Sequence, residues 1–350
     1  MKILIIKLSS IGDVVQTLPA LESLRRGHPR AKIDWLVEEA ASDIVVGHPM
    51  LDEVVVVKGR GWVKDTAENF RVARSLAEKR YDMVLDFQGL LKSGIWVYFS
   101  KGERRVGFAN AREMSHLFLT EKLPPYDIER HAVERYLDLA RCAGGAEAEG
   151  EAFSTPLHVG EEAGEAASGL LEDGGINGET DFFVVNPRAR WETKLWPEER
   201  FAEVIRLAQE RLGMRAVIVG SPPDRAAAER IAEMAGKGNT INLAGRTSLK
   251  QLAFVMGRAS FVLTVDSGPM HMAAAAGTPV VAIFGPTAPW RTGPYGKMHS
   301  VIRKEMDCSP CFSRKCARLK CMDAIAAEDV MDAIVRLGAA GEPVSAARAR

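Results

Sequence analysis

A carboxylate, a pair of cations and a glycine turn are the parts of this sequence best suited to chemistry. Asp13 follows the strand-like stretch of residues 2–7, which places it at the carboxyl end of a first strand and beside the next helix. In open α/β sheets that edge is where ligands bind. The position equally suits a carboxylate that caps a helix, a role worth about 1 kcal/mol. Arg190 and Lys194 lie in the loop NPRARWETKLW, again after a strand. Two cations there can meet a diphosphate, or sit on a solvated surface loop. Trp191 and Trp196 in the same stretch favour a shaped, partly buried element. Asp224 ends the turn GSPPD, where an acid can accept hydrogen bonds from ribose hydroxyls or cap the following helix. Thr247 and Ser248 precede a further helix, and Ser248 is placed to cap it.

The stretch that organises the second half is FVLTVDSGPMHMAAAAGTPVVAIFG, residues 261–285. It reads as strand, turn, helix, turn, strand. Asp266, Ser267 and Gly268 form the first turn, Pro269 suits the first helical position, and Gly277 closes the helix ahead of Pro279. A helix start at the carboxyl end of a parallel strand is a ready anion site. A second group of cations, Arg60, Lys64, Arg112 and Arg135, lies in the first half. If they converge, they would hold an acidic acceptor. Cys308, Cys311, Cys316 and Cys321 follow C-x2-C-x4-C-x4-C, which could bind a metal but matches none of the common structural-zinc spacings. Reduced thiols in a C-terminal loop are the expected state.

The chain must build elements that position these residues. Its 350 residues suit two domains, each with its own core. Lys plus Arg and Asp plus Glu balance at 46 each, which argues against a nucleic-acid binder. The opening MKILIIKLSS reads as a strand and not a signal peptide, and the apolar run of residues 272–284 is too short to span a bilayer. A cytoplasmic protein is expected. Strands and helices alternate throughout: strands at 2–7, 32–37, 54–57, 81–87 and 104–107, with helices at 14–26 (kinked at Pro19), 66–79, 90–99 and 131–143. After the break GGAEAEG come a helix at 161–173 and strands at 181–185, 215–220, 240–243, 261–265, 280–284 and 299–303. Helices at 198–212, 224–235, 248–257, 270–276 and 327–337 complete the pattern. Such alternation predicts an α/β fold of two doubly wound parallel sheets.

Taken in order, the motifs resemble glycosyltransferase family 9, the lipopolysaccharide heptosyltransferases. KLSSIGDVVQTLPAL (7–21) is similar to that family's opening signature. DWLVEE (34–39), DFQGLLKSG (86–94) and HAVER (131–135) resemble its heptosyltransferase I branch. WETKLWPEERF (191–201) and VDSGPMHMAAAAGTPVVAIFGPTAP (265–289) carry the likeness through the second half. The resemblance implies a GT-B fold, two Rossmann-like domains facing an interdomain cleft. The expected layout is an acceptor-binding domain at 1–150, a linker at 151–180 and a nucleotide-sugar-binding domain at 181–340. It implies inverting, metal-independent transfer of L-glycero-D-manno-heptose from ADP-heptose to a Kdo residue on lipid A, with no cofactor beyond the donor. By the same resemblance Asp13 is the general base and Lys194 a donor-phosphate ligand. Asp224 contacts the ribose, Thr247 lies by the adenine, and Asp266, Ser267 and Gly268 form the donor turn with His271 one helical turn on. Arg190 stands in a stretch where the heptosyltransferase I branch carries hydroxyl residues. A lipid acceptor implies peripheral attachment to the cytoplasmic surface of the inner membrane. The alternatives are transfer to another heptose position, as in heptosyltransferase II, transfer of another sugar, and a non-catalytic nucleotide-sugar-binding module. A dinucleotide-dependent oxidoreductase is disfavoured, because no G-x-G-x-x-G follows the first strand.

Overall fold

A computed structural model of the chain describes residues 1–59, 65–147, 157–178, 180–236 and 238–339. The backbone divides into two compact units, Met1–His158 and Val159–Arg350. Arg60 and Lys64 lie outside the described residues.

In the first unit the strands are β1 (Lys2–Ile6), β2 (Lys32–Glu38), β3 (Glu53–Val57), β4 (Met83–Asp86), β5 (Arg104–Phe108) and β6 (Glu121–Leu123). They form one parallel sheet in the order β3-β2-β1-β4-β5-β6. This is the doubly wound order, whose connections reverse direction beside β1. The helices are α1 (Ile11–Gly27), α2 (Glu39–Ser42), α3 (Thr66–Lys79), α4 (Leu91–Phe99) and α5 (Ala132–Cys142). The central strands are apolar almost throughout because helices cover both faces of a parallel sheet. Leu4, Ile6, Leu36, Val84 and Trp96 share one cluster on such a face. Burying each such side chain contributes roughly 1.5–3 kcal/mol.

The second unit repeats the plan. Its strands are β7 (Phe182–Asn186), β8 (Arg215–Ile218), β9 (Thr240–Asn242), β10 (Val262–Val265), β11 (Val280–Ile283) and β12 (Ser300–Ile302), all parallel, in the order β12-β11-β10-β7-β8-β9. Counted from β7, that is the order of the first sheet. The helices are α6 (Glu161–Asp173), α7 (Glu198–Leu212), α8 (Arg225–Ala235), α9 (Leu249–Arg258), α10 (Gly268–Ala275), α11 (Pro289–Thr292), α12 (Lys320–Asp323) and α13 (Ala327–Ala339). Phe183 stacks on Phe261 with ring centroids 4.8 Å apart, inside a core that also holds Val185, Phe201, Leu263 and Ile334.

Some local expectations need correction. α1 begins at Ile11, so Asp13 lies in its first turn and not in the loop before it. The helix continues through Pro19, which deletes only one backbone donor. Asp224 is not the first residue of α8: it ends a 3₁₀ turn, Pro222–Asp224, that Ser221 opens. Lys194 likewise ends a short 3₁₀ turn, Glu192–Lys194, where plain loop is expected. Strand β6 is absent from the sequence reading because its three residues, Glu-Lys-Leu, carry two charges, as an edge strand often does.

Candidate functional site

In the first unit, the loop from β1 to α1 is held from every side. The side chain of Lys7 is only 2% exposed. Its Nζ donates to the Phe87 carbonyl at 2.9 Å and to the Tyr136 hydroxyl at 2.7 Å, and stands 3.9 Å from Asp13 Oδ1. The Tyr136 hydroxyl donates in turn to Asp13 Oδ1 at 3.4 Å. Asp13 Oδ2 accepts from the Ser10 amide at 3.0 Å and the Ser10 hydroxyl at 2.8 Å, the reach-back of an N3 acid to a helix cap. At 41% exposure the Asp13 side chain is nonetheless open to solvent.

The blocks that follow in sequence supply this scaffold. Asp86, at the end of β4, accepts from the amides of Gln88 and Gly89 and from the Ser93 hydroxyl. Gln88 Oε1 accepts from the amides of Leu8 and Ser9 at 3.1 and 3.0 Å. Lys92 Nζ donates to the Ser9 hydroxyl and to Glu38 Oε1, and Trp35 Nε1 donates to the Lys7 carbonyl. Burial dominates the electrostatics: it lowers the pKa of Lys7 while Asp13 and Asp86 pull the other way. Burial also raises the pKa of Asp86 and lifts that of Tyr136 well above the usual phenol value.

In the second unit the organising pair is Lys194 and Asp266. Lys194 Nζ lies 2.6 Å from Asp266 Oδ2, which also accepts from the Thr287 hydroxyl at 2.6 Å. Asp266 is 5% exposed, so it acts as the counter-ion that fixes Lys194. Lys194 Nζ also sits 4.7 Å from the centroid of the Trp191 ring. Ser267 is the N-cap residue of α10, with Gly268 and Pro269 opening the helix. Buried Asn186, at the end of β7, donates through Nδ2 to the hydroxyls of Thr264 and Ser267 and to the Arg188 carbonyl. The turn is thereby tied to two strands. His271 is buried on α10, 8% exposed.

Asp224 Oδ2 accepts from the Ser221 amide and hydroxyl at 2.9 and 2.5 Å, and its Oδ1 faces Arg188 Nε at 3.5 Å. It thus repeats the Asp13 arrangement. Thr247 is half-buried ahead of Ser248, whose hydroxyl accepts from the Gln251 amide. Arg190 and Arg112 are exposed, and Arg135 lies 4.7 Å over the Tyr126 ring, close enough for its charge to act on Lys7 and Tyr136. Among the described residues no three His, Cys, Asp or Glu side chains are gathered to hold a metal ion. Cys308, Cys311 and Cys316 are exposed and Cys321 is buried.

The family description "Glycosyltransferase family 9 (heptosyltransferase)" matches residues 69–322. The chain belongs to glycosyltransferase family 9. Lipopolysaccharide heptosyltransferase 1 of Pseudomonas aeruginosa is 33% identical over 325 residues, spanning 90% of this chain and 87% of the relative. The solved family 9 glycosyltransferase of Veillonella parvula superposes with a TM-score of 0.85 at 26% identity, covering 97% of each chain. Escherichia coli heptosyltransferase WaaC, solved with ADP, gives a TM-score of 0.75 at 29% identity, covering 97% of this chain and 98% of that one. The GT-B class, two doubly wound domains, follows.

Read as a family 9 glycosyltransferase, the chain uses residues that sequence reasoning passed over. Lys7 and Tyr136 face Asp13, Asp86 and Gln88 hold the loop that leads to it, and Asn186 and Thr287 support the second turn. Lys7 ends the expected first strand, and only its partners 80 and 129 residues away show that its ammonium is held inside the fold. The S-x-x-D spacing was the one signal that could have placed Asp13 and Asp224 against Ser10 and Ser221.

Proposed function

We propose that this glycosyltransferase moves L-glycero-D-manno-heptose from ADP-heptose to a Kdo residue of the lipopolysaccharide inner core, inverting the anomeric centre without a metal ion. The observation that carries the reading is the Lys194–Asp266 pair beside the start of α10, in a chain similar along most of its length to lipopolysaccharide heptosyltransferases. A diphosphate at the turn of Ser267 and Gly268 would meet the positive end of the helix dipole and the Lys194 ammonium. Asp224, Thr247, Arg190 and His271 line the nucleotide and sugar side of the same donor site in this reading.

Asp13 takes the proton of the acceptor hydroxyl. The acceptor oxygen bonds to the anomeric carbon from the face opposite the diphosphate, and the electron pair of the breaking C–O bond leaves with ADP. General-base assistance typically contributes about 10²- to 10⁴-fold. Preorganised charge at the leaving diphosphate and positioning of the two substrates supply the larger share. Because Lys194 is already locked by Asp266, which Thr287 holds in turn, it needs no reorganisation as charge develops. Arg112 and Arg135, with Arg60 and Lys64, are assigned to the acidic groups of the acceptor.

The test is product identity. Incubation with ADP-heptose and Kdo-bearing lipid A in EDTA is expected to add one heptose mass to the lipid. Transfer only to an acceptor that already carries heptose would overturn the Kdo assignment. Transfer to neither acceptor would overturn heptosyl transfer to the inner core itself.

A further inference from the structure

The cysteine-rich segment finds no use in the mechanism above, yet it is docked against the two loops that carry Lys194 and Thr287. The Thr193 hydroxyl, next to Lys194, donates to the Ser313 carbonyl at 2.8 Å. On the other side, the amides of Cys311 and Phe312 donate to the Pro286 carbonyl at 3.0 and 2.8 Å. Pro286 precedes Thr287, the residue that bonds Asp266. The segment is therefore anchored on both flanks of the Lys194–Asp266 pair. Directly after the Ser313 anchor, the Arg314 guanidinium lies 4.7 Å from the centroid of the Trp191 ring, the same separation at which Lys194 Nζ meets that ring. Two cations thus share one indole. Asp266 compensates Lys194, while among the described residues no carboxylate forms an ion pair with Arg314. Next to Arg314 opens a concavity of about 540 Å³, lined by Glu192, Thr193, Arg314, Lys315, Cys316 and neighbouring residues, with Thr193 its link to Lys194.

Resting on the donor-site reading above, we propose that Arg314 is a second cation for the donor's diphosphate and that residues 313–319 form a wall of the donor pocket. A guanidinium presents paired N–H donors that match phosphate oxygens, complementing the point charge of Lys194. Its stacking on Trp191 holds that fork ready before the ligand arrives. Cys316 lines the same concavity, and amide hydrogen bonds from Arg318 and Leu319 lower its thiol pKa, which makes it a built-in reporter of occupancy.

Two measurements on the full chain test this. In calorimetric titrations, Arg314→Ala is expected to weaken ADP binding by about tenfold while leaving adenosine affinity unchanged, since the lost contacts are to phosphate. Lys194→Ala is titrated alongside it. Wild-type ADP affinity in Arg314→Ala, with weakened binding in Lys194→Ala, would overturn the proposal and leave the donor site standing. Unchanged affinity in both variants would overturn the donor site and the proposal together. In the unaltered protein, saturating ADP is expected to slow alkylation of Cys316 several-fold, with exposed Cys142 of the first unit as the internal reference. Equal Cys316 alkylation rates with and without bound ADP would remove residues 313–319 from the pocket.

Discussion

Lys7 is an ammonium group withdrawn from water to hold other groups in place. Its bonds to the Phe87 carbonyl and the Tyr136 hydroxyl offset part of the desolvation cost, and Asp13 and Asp86 offset more. Tyr136 is the critical link, because its hydroxyl accepts from Lys7 and donates to Asp13. Tyr136→Phe leaves a buried ammonium short of one acceptor. A loss of about 1–3 kcal/mol in urea unfolding is expected, and unchanged stability would mean that the Lys7–Tyr136 bond does not form. The candidate residues themselves were legible from sequence because strand ends and glycine turns announce ligand-facing positions. Asp13, Lys194 and Ser267 fall at such places. The contacts of Asp266 and Tyr136 were not, since each depends on a partner far away in the chain.

At the scale of elements, the same device opens a helical segment in each unit: a serine cap with an aspartate three residues on, reaching back to the serine amide. In one case that acid is proposed as a base and in the other as a ribose ligand, so capping fixes the carboxylates before any ligand binds. The turn after α2 carries a different kind of control. His48 is buried, its Nδ1 accepts from the Met50 amide, and the His158 ring meets it edge-on at 6.4 Å. Burial, with a smaller contribution from His158, lowers its pKa from the usual 6.5 to about 4. Between those values the unfolded chain binds a proton that the folded chain does not, so stability falls as pH drops through that window. His48→Gln, which keeps an acceptor for Met50, is expected to lose less stability than the parent between pH 7 and pH 4.5 in chemical denaturation. An identical loss would exclude His48 as a source. Element lengths were well marked in the sequence where helices are amphipathic, as at α3 and α6. They were poorly marked at α1, which starts at Ile11 and not at the expected residue 14.

At the scale of the whole molecule, two sheets of identical strand order give each unit its own scaffold. The repeat was readable as alternation of strands and helices. The strand order was not, because pairing is long-range. Among the described residues no helix is long and apolar enough to cross a membrane. With a lipid-borne acceptor proposed, reversible attachment to an anionic bilayer is expected. Flotation with acidic liposomes should fall as salt rises, and flotation unchanged in high salt would argue against an electrostatic contact. The most direct test of the account is ADP release from ADP-heptose in EDTA, with and without Kdo-bearing lipid A, for the parent protein and Asp13→Asn. Acceptor-dependent release that falls at least about a hundredfold in Asp13→Asn, with ADP affinity kept, is the predicted result. Near-parental release in Asp13→Asn would contradict the mechanism, and no release by the parent protein would contradict the function.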